Sequence, residues 1–224
     1  MQKQAASAGA ISLKGSAEIL ADYFFYAVNS ILYQRGVYPE ASFKKDVQYE
    51  LSMLVAADEG LIKYLNTILA QMKGNDHGLL SESPDASMHS SIMTEWIMSG
   101  ALQKLVLVIK CVKTEEVLER WQFNIVCEAS DTSGGKPAKK SLGEIQEEIR
   151  HVIRQIVSIN TVLPVLNNSC TFELLIYTDR NTSIPEGWDE SGPQFISNSA
   201  EIKLRSFSTT VHRVDNVISY KLAS

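Results

Sequence analysis

Apolar positions recur at helical spacing in three stretches. Over residues 16–35, Leu20, Phe24, Ala27 and Ile31 form a stripe that Val28 and Leu32 widen, and Gly36 follows as a stop. After Asp58, a residue type suited to capping, Leu61, Leu65, Ile68 and Met72 repeat at intervals of 4, 3 and 4 residues. The third stretch opens on Ser141-Leu142-Gly143-Glu144, a capping-box pattern, and carries Ile145, Ile149, Val152, Ile156, Ile159 and Leu163 to a stop at Pro164. Its opposite face offers Arg150, Arg154, Gln155 and Ser158.

Strand patterns lie between and after these helices. Residues 47–57 lean toward β structure, with Met53-Leu54-Val55 as their apolar centre. Residues 105–112 are almost continuously apolar, as a strand buried on both faces requires. Trp121, Phe123 and Ile125 alternate with Gln122 and Asn124, giving one dominant apolar face and placing Trp121 in the core. Residues 171–178 read as a further strand. In the tail, residues 179–193 are turn-rich; beyond them Ile202 and Leu204 are even-numbered, whereas Phe207, Thr209 and Val211 are odd. One regular strand cannot hold both sets on one face, so a bulge or a change of face is expected between Leu204 and Phe207. Asp215-Asn216 reads as a hairpin turn before Val217.

Residues 74–94 interrupt the second helix with Gly74, Gly78, Pro84 and five serines, a helix-breaking composition. When these 21 residues are removed, Trp96 continues the spacing of Leu61, Leu65, Ile68 and Met72. The expectation is a surface loop spliced into one helix, with Trp96 packing near Met72. Residues 1–10 are expected to be a flexible N-terminus, and Ser130 to Lys140 a flexible loop.

The 224 residues suffice for one large domain or two small ones, and 45% apolar content excludes global disorder. The longest apolar run, Tyr23 to Val28, is far short of the ~20 residues of a membrane span. The N-terminal residues lack the apolar stretch of a secretory leader, and three widely spaced cysteines fit a reducing compartment. A net charge of −5, with no block of Lys and Arg, argues against a nucleic-acid surface.

The search for chemistry is negative. Asp131-Thr132-Ser133-Gly134 echoes an aspartic protease loop, but it lacks apolar flanks and a second copy. Gly134-Gly135-Lys136 is followed by Pro137, where a phosphate-binding loop needs Ser or Thr. His77, His89, His151 and His212 share no metal-ligand spacing with one another or with a cysteine. Cys111 and Cys127 read as small core residues in strands. No catalytic, cofactor-binding or metal-ligating set is expected.

Several runs carry a resemblance: residues 11–19 (ISLKGSAEI), 30–39 (SILYQRGVYP), 61–66 (LIKYLN), 117–123 (VLERWQF), 152–156 (VIRQI), 174–179 (LLIYTD), 190–196 (ESGPQFI) and 204–207 (LRSF). On these the chain resembles the HORMA family, in its spindle-checkpoint branch, from Ile11 to Lys221 apart from residues 74–94. The resemblance implies one α/β domain over residues 11–224. A central, mainly antiparallel sheet is backed by three helices, the buried one being residues 141–163, and residues 179–224 form a mobile safety belt. It implies no enzyme activity and no cofactor. The implied function is the capture of an extended peptide by β-augmentation, with switching between open and closed conformers.

The implied partners are the activator subunit of the anaphase-promoting complex, whose sequestration delays anaphase, and a coiled-coil kinetochore adaptor. A conformer homodimer and a HORMA-like regulator with an AAA+ remodelling ATPase complete the set, with no nucleic acid and no membrane. The implied setting is the kinetochore and spindle, in nucleus and cytoplasm. Carried over by position, Trp188, Phe195, Ile202, Leu204 and Phe207 belong to the peptide-binding belt. Arg154, Gln155 and Val162 belong to the dimer and regulator interface, and Leu13 to the switching segment. The chain departs from the family at Val162, where an aromatic is usual, in its shorter C-terminus, and at residues 74–94. The related alternative is another HORMA adaptor, a translesion polymerase accessory subunit or a meiotic axis protein. The Glu-Arg-Trp-Gln-Phe and Ser-Gly-Pro-Gln-Phe-Ile runs favour the checkpoint branch.

Overall fold

The computed structural model describes residues 11–68, 95–127, 140–184 and 190–222. The expectations for residues 1–10, for the loop at 74–94 with Met72, for Asp131 and for Trp188 lie outside them.

Helix α1 runs over Leu13–Gln34, three residues earlier than its apolar stripe suggested, because the Ser12 hydroxyl caps it by accepting the Gly15 N–H at 3.0 Å. It ends where Gly36 adopts φ +61°, the left-handed conformation that lets the Val37 N–H return to the Leu32 carbonyl at 3.1 Å. Strands β1 (Phe43–Gln48) and β2 (Leu51–Ala56) form an antiparallel hairpin. The sequence pattern showed one strand here. Tyr49 and Glu50, at φ 52° and 56°, make a tight turn without the Gly or Asn that normally announces it. Tyr49 is held there by its ring, which meets Tyr26 edge-on at 5.8 Å.

Helix α2 (Glu59–Ile68) is capped as expected, with the Asp58 carboxylate accepting the Leu61 N–H at 2.9 Å. A helical turn over residues 95–98 follows, and it buries Trp96 and Ile97. Strands β3 (Leu102–Cys111) and β4 (Val117–Cys127) come next, then helix α3 (Leu142–Ile159), which carries the complete Ser141–Glu144 capping box. Helix α3 stops at Ile159; Leu163 is buried from the turn beyond it.

Strand β5 (Cys170–Thr178) and tail strands β6 (Ser199–Lys203), β7 (Phe207–Ser208) and β8 (His212–Lys221) complete the main sheet. The order is β5-β3-β4-β8-β6, all antiparallel, with β7 also on β8. This is the expected α/β class.

Leu105, Leu107 and Ile109 of β3 face the helices, while Val106 and Val108 are buried on the opposite face. The resemblance pointed to residues 141–163 as the buried helix, but the structure gives that place to α1. Leu20, Phe24, Ile31 and Leu32 are fully buried, and Tyr23 and Phe24 both pack on Phe123. Helix α1 is apolar nearly all round, so it can be enclosed by the sheet, α3 and the hairpin, whereas α3 keeps a charged outer face. Asn29 ties α1 to the hairpin by accepting the Ala56 N–H at 2.7 Å.

Candidate functional site

Strand β5 is an edge. It pairs with β3 on one side, and among the described residues no strand pairs with the other. Antiparallel alternation settles which groups face outward. Val112 donates to the Ser169 carbonyl, and even-numbered β3 residues continue that pairing with odd-numbered β5 residues. The N–H and C=O groups of Phe172, Leu174 and Ile176 therefore point away from β3. The Leu174 N–H confirms the geometry: it reaches outward to the Tyr64 hydroxyl of α2 at 3.3 Å. An open row of backbone donors and acceptors is a template for a further strand.

The chain that leaves this edge ends on the other side of the sheet. Beyond β5, the Asp179 N–H bonds the Ala101 carbonyl at 3.1 Å and its carboxylate takes Gln103. At the far end, the Leu222 N–H bonds the Asn198 carbonyl at 2.9 Å beside β6. Four strand spacings, about 19 Å, separate the two edges. The twenty residues from 179 to 198 can extend to roughly 65 Å. The connection is long enough to cross the sheet and still loop around a strand added beyond β5. Its course is marked by Ile196, which packs, as Leu175 and Tyr177 do, against the cluster of Val106, Val108 and Val117 on the face away from the helices.

The tail is fastened by polar contacts as well as by pairing. Phe207 is buried, with its ring 4.7 Å from Tyr23. Asn216, also buried, accepts from the Tyr23 hydroxyl at 2.7 Å and donates to the Arg205 carbonyl at 2.7 Å. Asp215-Asn216 is thus mid-strand in β8; the turn lies at residues 209–211, where the Thr209 hydroxyl accepts the Val211 and His212 N–H groups. Composition misplaced it because the Asn216 amide serves the core and not its own backbone. The expected bulge is present: β6 pairs Lys203 with Val217, whereas β7 pairs Phe207 with Val214, one residue out of register. The Lys140 ammonium and Glu148 carboxylate clamp Ser208, and the Gln155 side chain accepts the Arg205 N–H at 2.7 Å.

The carried-over residues are dispersed over these features. Phe195 is 76% exposed in the connection between β5 and β6, and Ile202 and Leu204 are partly buried against the core. Phe207 anchors the tail from within that core. Arg154 is exposed on α3 beside Gln155, and Val162 is 61% exposed just past its end. Leu13 is 41% exposed at the first turn of α1. Sequence reasoning missed Tyr64 at the β5 edge and Asn216 under the tail, and neither lies in a pattern that announces its partner. Among the described residues no group of three or more His, Cys, Asp or Glu could hold a metal, and no helix is long and apolar enough to cross a membrane.

The α/β domain has an open sheet edge among the described residues and a long connection from it to a remotely paired tail, and the HORMA domain family matches residues 16–212. The chain belongs to the HORMA domain family, with spindle-checkpoint proteins as its near-full-length relatives. It is 47% identical to the human mitotic spindle assembly checkpoint protein MAD2A over 95% of this chain and 93% of that protein. It also resembles a chain in the crystal structure of the mitotic checkpoint complex, with TM-score 0.74 and 34% identity over 93% of this chain and 100% of that one. Caenorhabditis elegans HTP-2 bound to the HIM-3 closure motif shares the fold at TM-score 0.68 and 14% identity, over 95% of this chain and 93% of that one.

Proposed function

We propose that this chain is a checkpoint adaptor that holds an extended peptide as an added strand on β5, with residues 179–198 closed over it. The supporting observation is the open outer edge of β5 at the start of a belt whose far end is paired on the opposite edge. Backbone hydrogen bonds to Phe172, Leu174 and Ile176 supply affinity. Phe195 and Trp188 of the belt supply apolar contact with alternate peptide side chains. Ile202, Leu204 and Phe207 keep the tail on the core and so keep the belt shut.

The ligands are segments of the anaphase-promoting complex activator and of a coiled-coil kinetochore adaptor, and holding the activator delays anaphase. The protein works without catalysis, at kinetochore and spindle, in nucleus and cytoplasm. In the alternative conformer the tail leaves β4 for the β5 edge and blocks it, with the segment around Leu13 rearranging. Two copies in different conformers associate through Arg154, Gln155 and Val162, and the HORMA-like regulator and its AAA+ partner use the same face.

The test is peptide capture. The chain is mixed with a fluorescent activator peptide, and association and release are followed by anisotropy. Slow release that is lost on deleting residues 199–224, or weakened by Trp188→Ala, supports the clasp. Fast exchange indifferent to both changes refutes it.

A further inference from the structure

Cys111 closes β3 and Cys170 opens β5, and the two are direct partners in the register of these strands. The kind of pairing matters. The Cys111 N–H turns toward β4, donating to the Glu116 carbonyl at 2.9 Å, and it is the next residue, Val112, that bonds across to Ser169. Cys111 and Cys170 are therefore a non-hydrogen-bonded pair, the closer of the two antiparallel types. Their side chains share a face, and their α-carbons are about 4.5 Å apart. That spacing falls within the ~4.4–6.8 Å that a disulfide bridges. Ile109 with Phe172 and Leu107 with Leu174 continue the same face, which fixes its orientation toward the core.

Both thiols are free. Cys111 is buried, whereas Cys170 is partly exposed at the strand end, its thiol 3.2 Å from the Asn168 carbonyl. The pair is chemically unequal. Hydrogen bonds from the Thr114 side chain and backbone hold the Cys111 thiol below its ordinary range. Burial first, and then the charge of Cys111, push the Cys170 thiol up. Cys127 takes no part, since it sits opposite His212 at the other end of β4, about 30 Å along the strands.

We propose that Cys111 and Cys170 form a redox-responsive dithiol that closes into a disulfide under a hydroperoxide and staples the edge strand β5 to β3. The Cys111 thiolate attacks the O–O bond of the hydroperoxide. One oxygen stays on sulfur as a sulfenic acid, and the other leaves as water, or as an alcohol, after taking up a proton. The Cys170 sulfur then displaces the sulfenic oxygen, which departs as a second water molecule with the thiol proton. Two thiols have lost two electrons and two protons, and the peroxide has gained both. The staple closes a loop of about 60 residues at the strand assigned above to the peptide. Its formation does not depend on that assignment.

The full-length chain, reduced and then treated with hydrogen peroxide, is digested without reductant and mapped by mass spectrometry. The expected product is a Cys111–Cys170 linked peptide, two hydrogens lighter than the separate thiols and reopened by dithiothreitol. The oxidised protein is expected to melt about 5–10 °C higher. Cys170→Ser removes both effects and Cys127→Ser neither; Cys111→Ser, at the buried position, checks the first result. Sulfinic or sulfonic acids in place of the link, intermolecular products through Cys127, or an unchanged melting temperature after linkage would overturn the proposal. Peptide capture by the reduced protein is measured in parallel, so loss of the clasp reading and loss of the staple are read separately.

Discussion

The Ser16 hydroxyl lies 2.7 Å from His212 Nδ1, joining the first turn of the central helix to the first residue of the tail strand. Both residues are fully buried. His212 Nε2 meets the Ile97 carbonyl at 3.1 Å, and a carbonyl can only accept, so Nε2 carries the hydrogen. Burial favours the neutral ring, in which Nδ1 accepts from Ser16. Ser16 in turn is 2.6 Å from the Thr209 hydroxyl, and the chain of bonds is satisfied with a neutral imidazole.

That arrangement predicts a pH dependence. Burial lowers the His212 pKa from its ordinary 6.5, against a smaller opposing effect of the Ile97 bond. Below that value the unfolded chain binds a proton that the folded one resists. Stability is therefore complete above the unfolded pKa and is lost as pH falls through it toward the folded one. Melting temperature is expected to fall as pH drops below the ordinary imidazole value of 6.5, with the slope reduced in His212→Gln. Equal slopes in the two proteins would exclude His212 as the cause. The window stays above the titration of Glu144, whose carboxyl is held low by the Ser141 backbone and side chain.

A second prediction concerns Arg35 and Glu119, a buried ion pair with Nη2 2.5 Å from Oε1. Arg35 also donates to the Asn160 side chain and to the Pro164 carbonyl, while Trp121 donates to Glu119 at 3.0 Å. Removing one charge strands the other in the core. Glu119→Gln is expected to cost about 3–5 kcal/mol in urea unfolding, and Arg35→Met with Glu119→Gln no more than Glu119→Gln alone.

Among the described residues, Tyr64 occupies one outward β5 amide, that of Leu174. Tyr64→Phe frees the Leu174 N–H while leaving the edge-on contact with Phe172 in place. Amide exchange at Leu174 should accelerate in the free protein. An added strand should then bind roughly 2–10-fold more tightly, the worth of one modest hydrogen bond. Unchanged exchange would show that Tyr64 does not guard the edge.

On helix α3, neighbouring residues should separate interface from fold. Arg154 is exposed, and Arg154→Ala is expected to change stability by less than about 0.5 kcal/mol. Gln155→Ala also removes the acceptor of the Arg205 N–H and should cost about 0.5–1.5 kcal/mol. Both should weaken association between copies in sedimentation velocity. Equal melting temperatures for the two variants would show that Gln155 does not hold the tail.

The sequence by itself determined the elements whose signal is local. The Ser141–Glu144 box starts α3, the nearly continuous apolar run makes β3 a strand buried on both faces, and the parity change between Leu204 and Phe207 demands the bulge that separates β6 from β7. These follow from side-chain period and backbone capping within a few residues. The runs that carry the resemblance also pointed to the family.

What only the tertiary structure decided depends on partners far along the chain. Tyr49 and Glu50 turn left-handed because a ring on α1 packs against the turn, and Asn216 stays in a strand because Tyr23 and Arg205 satisfy its amide. No spacing in the sequence reveals that, among the described residues, β5 is left as an edge while β8 covers β4, since an edge is defined by which strands lie beside it. Nor does composition bring Cys111 opposite Cys170. Strand register alone does that, and register is set by the whole packed face of the sheet.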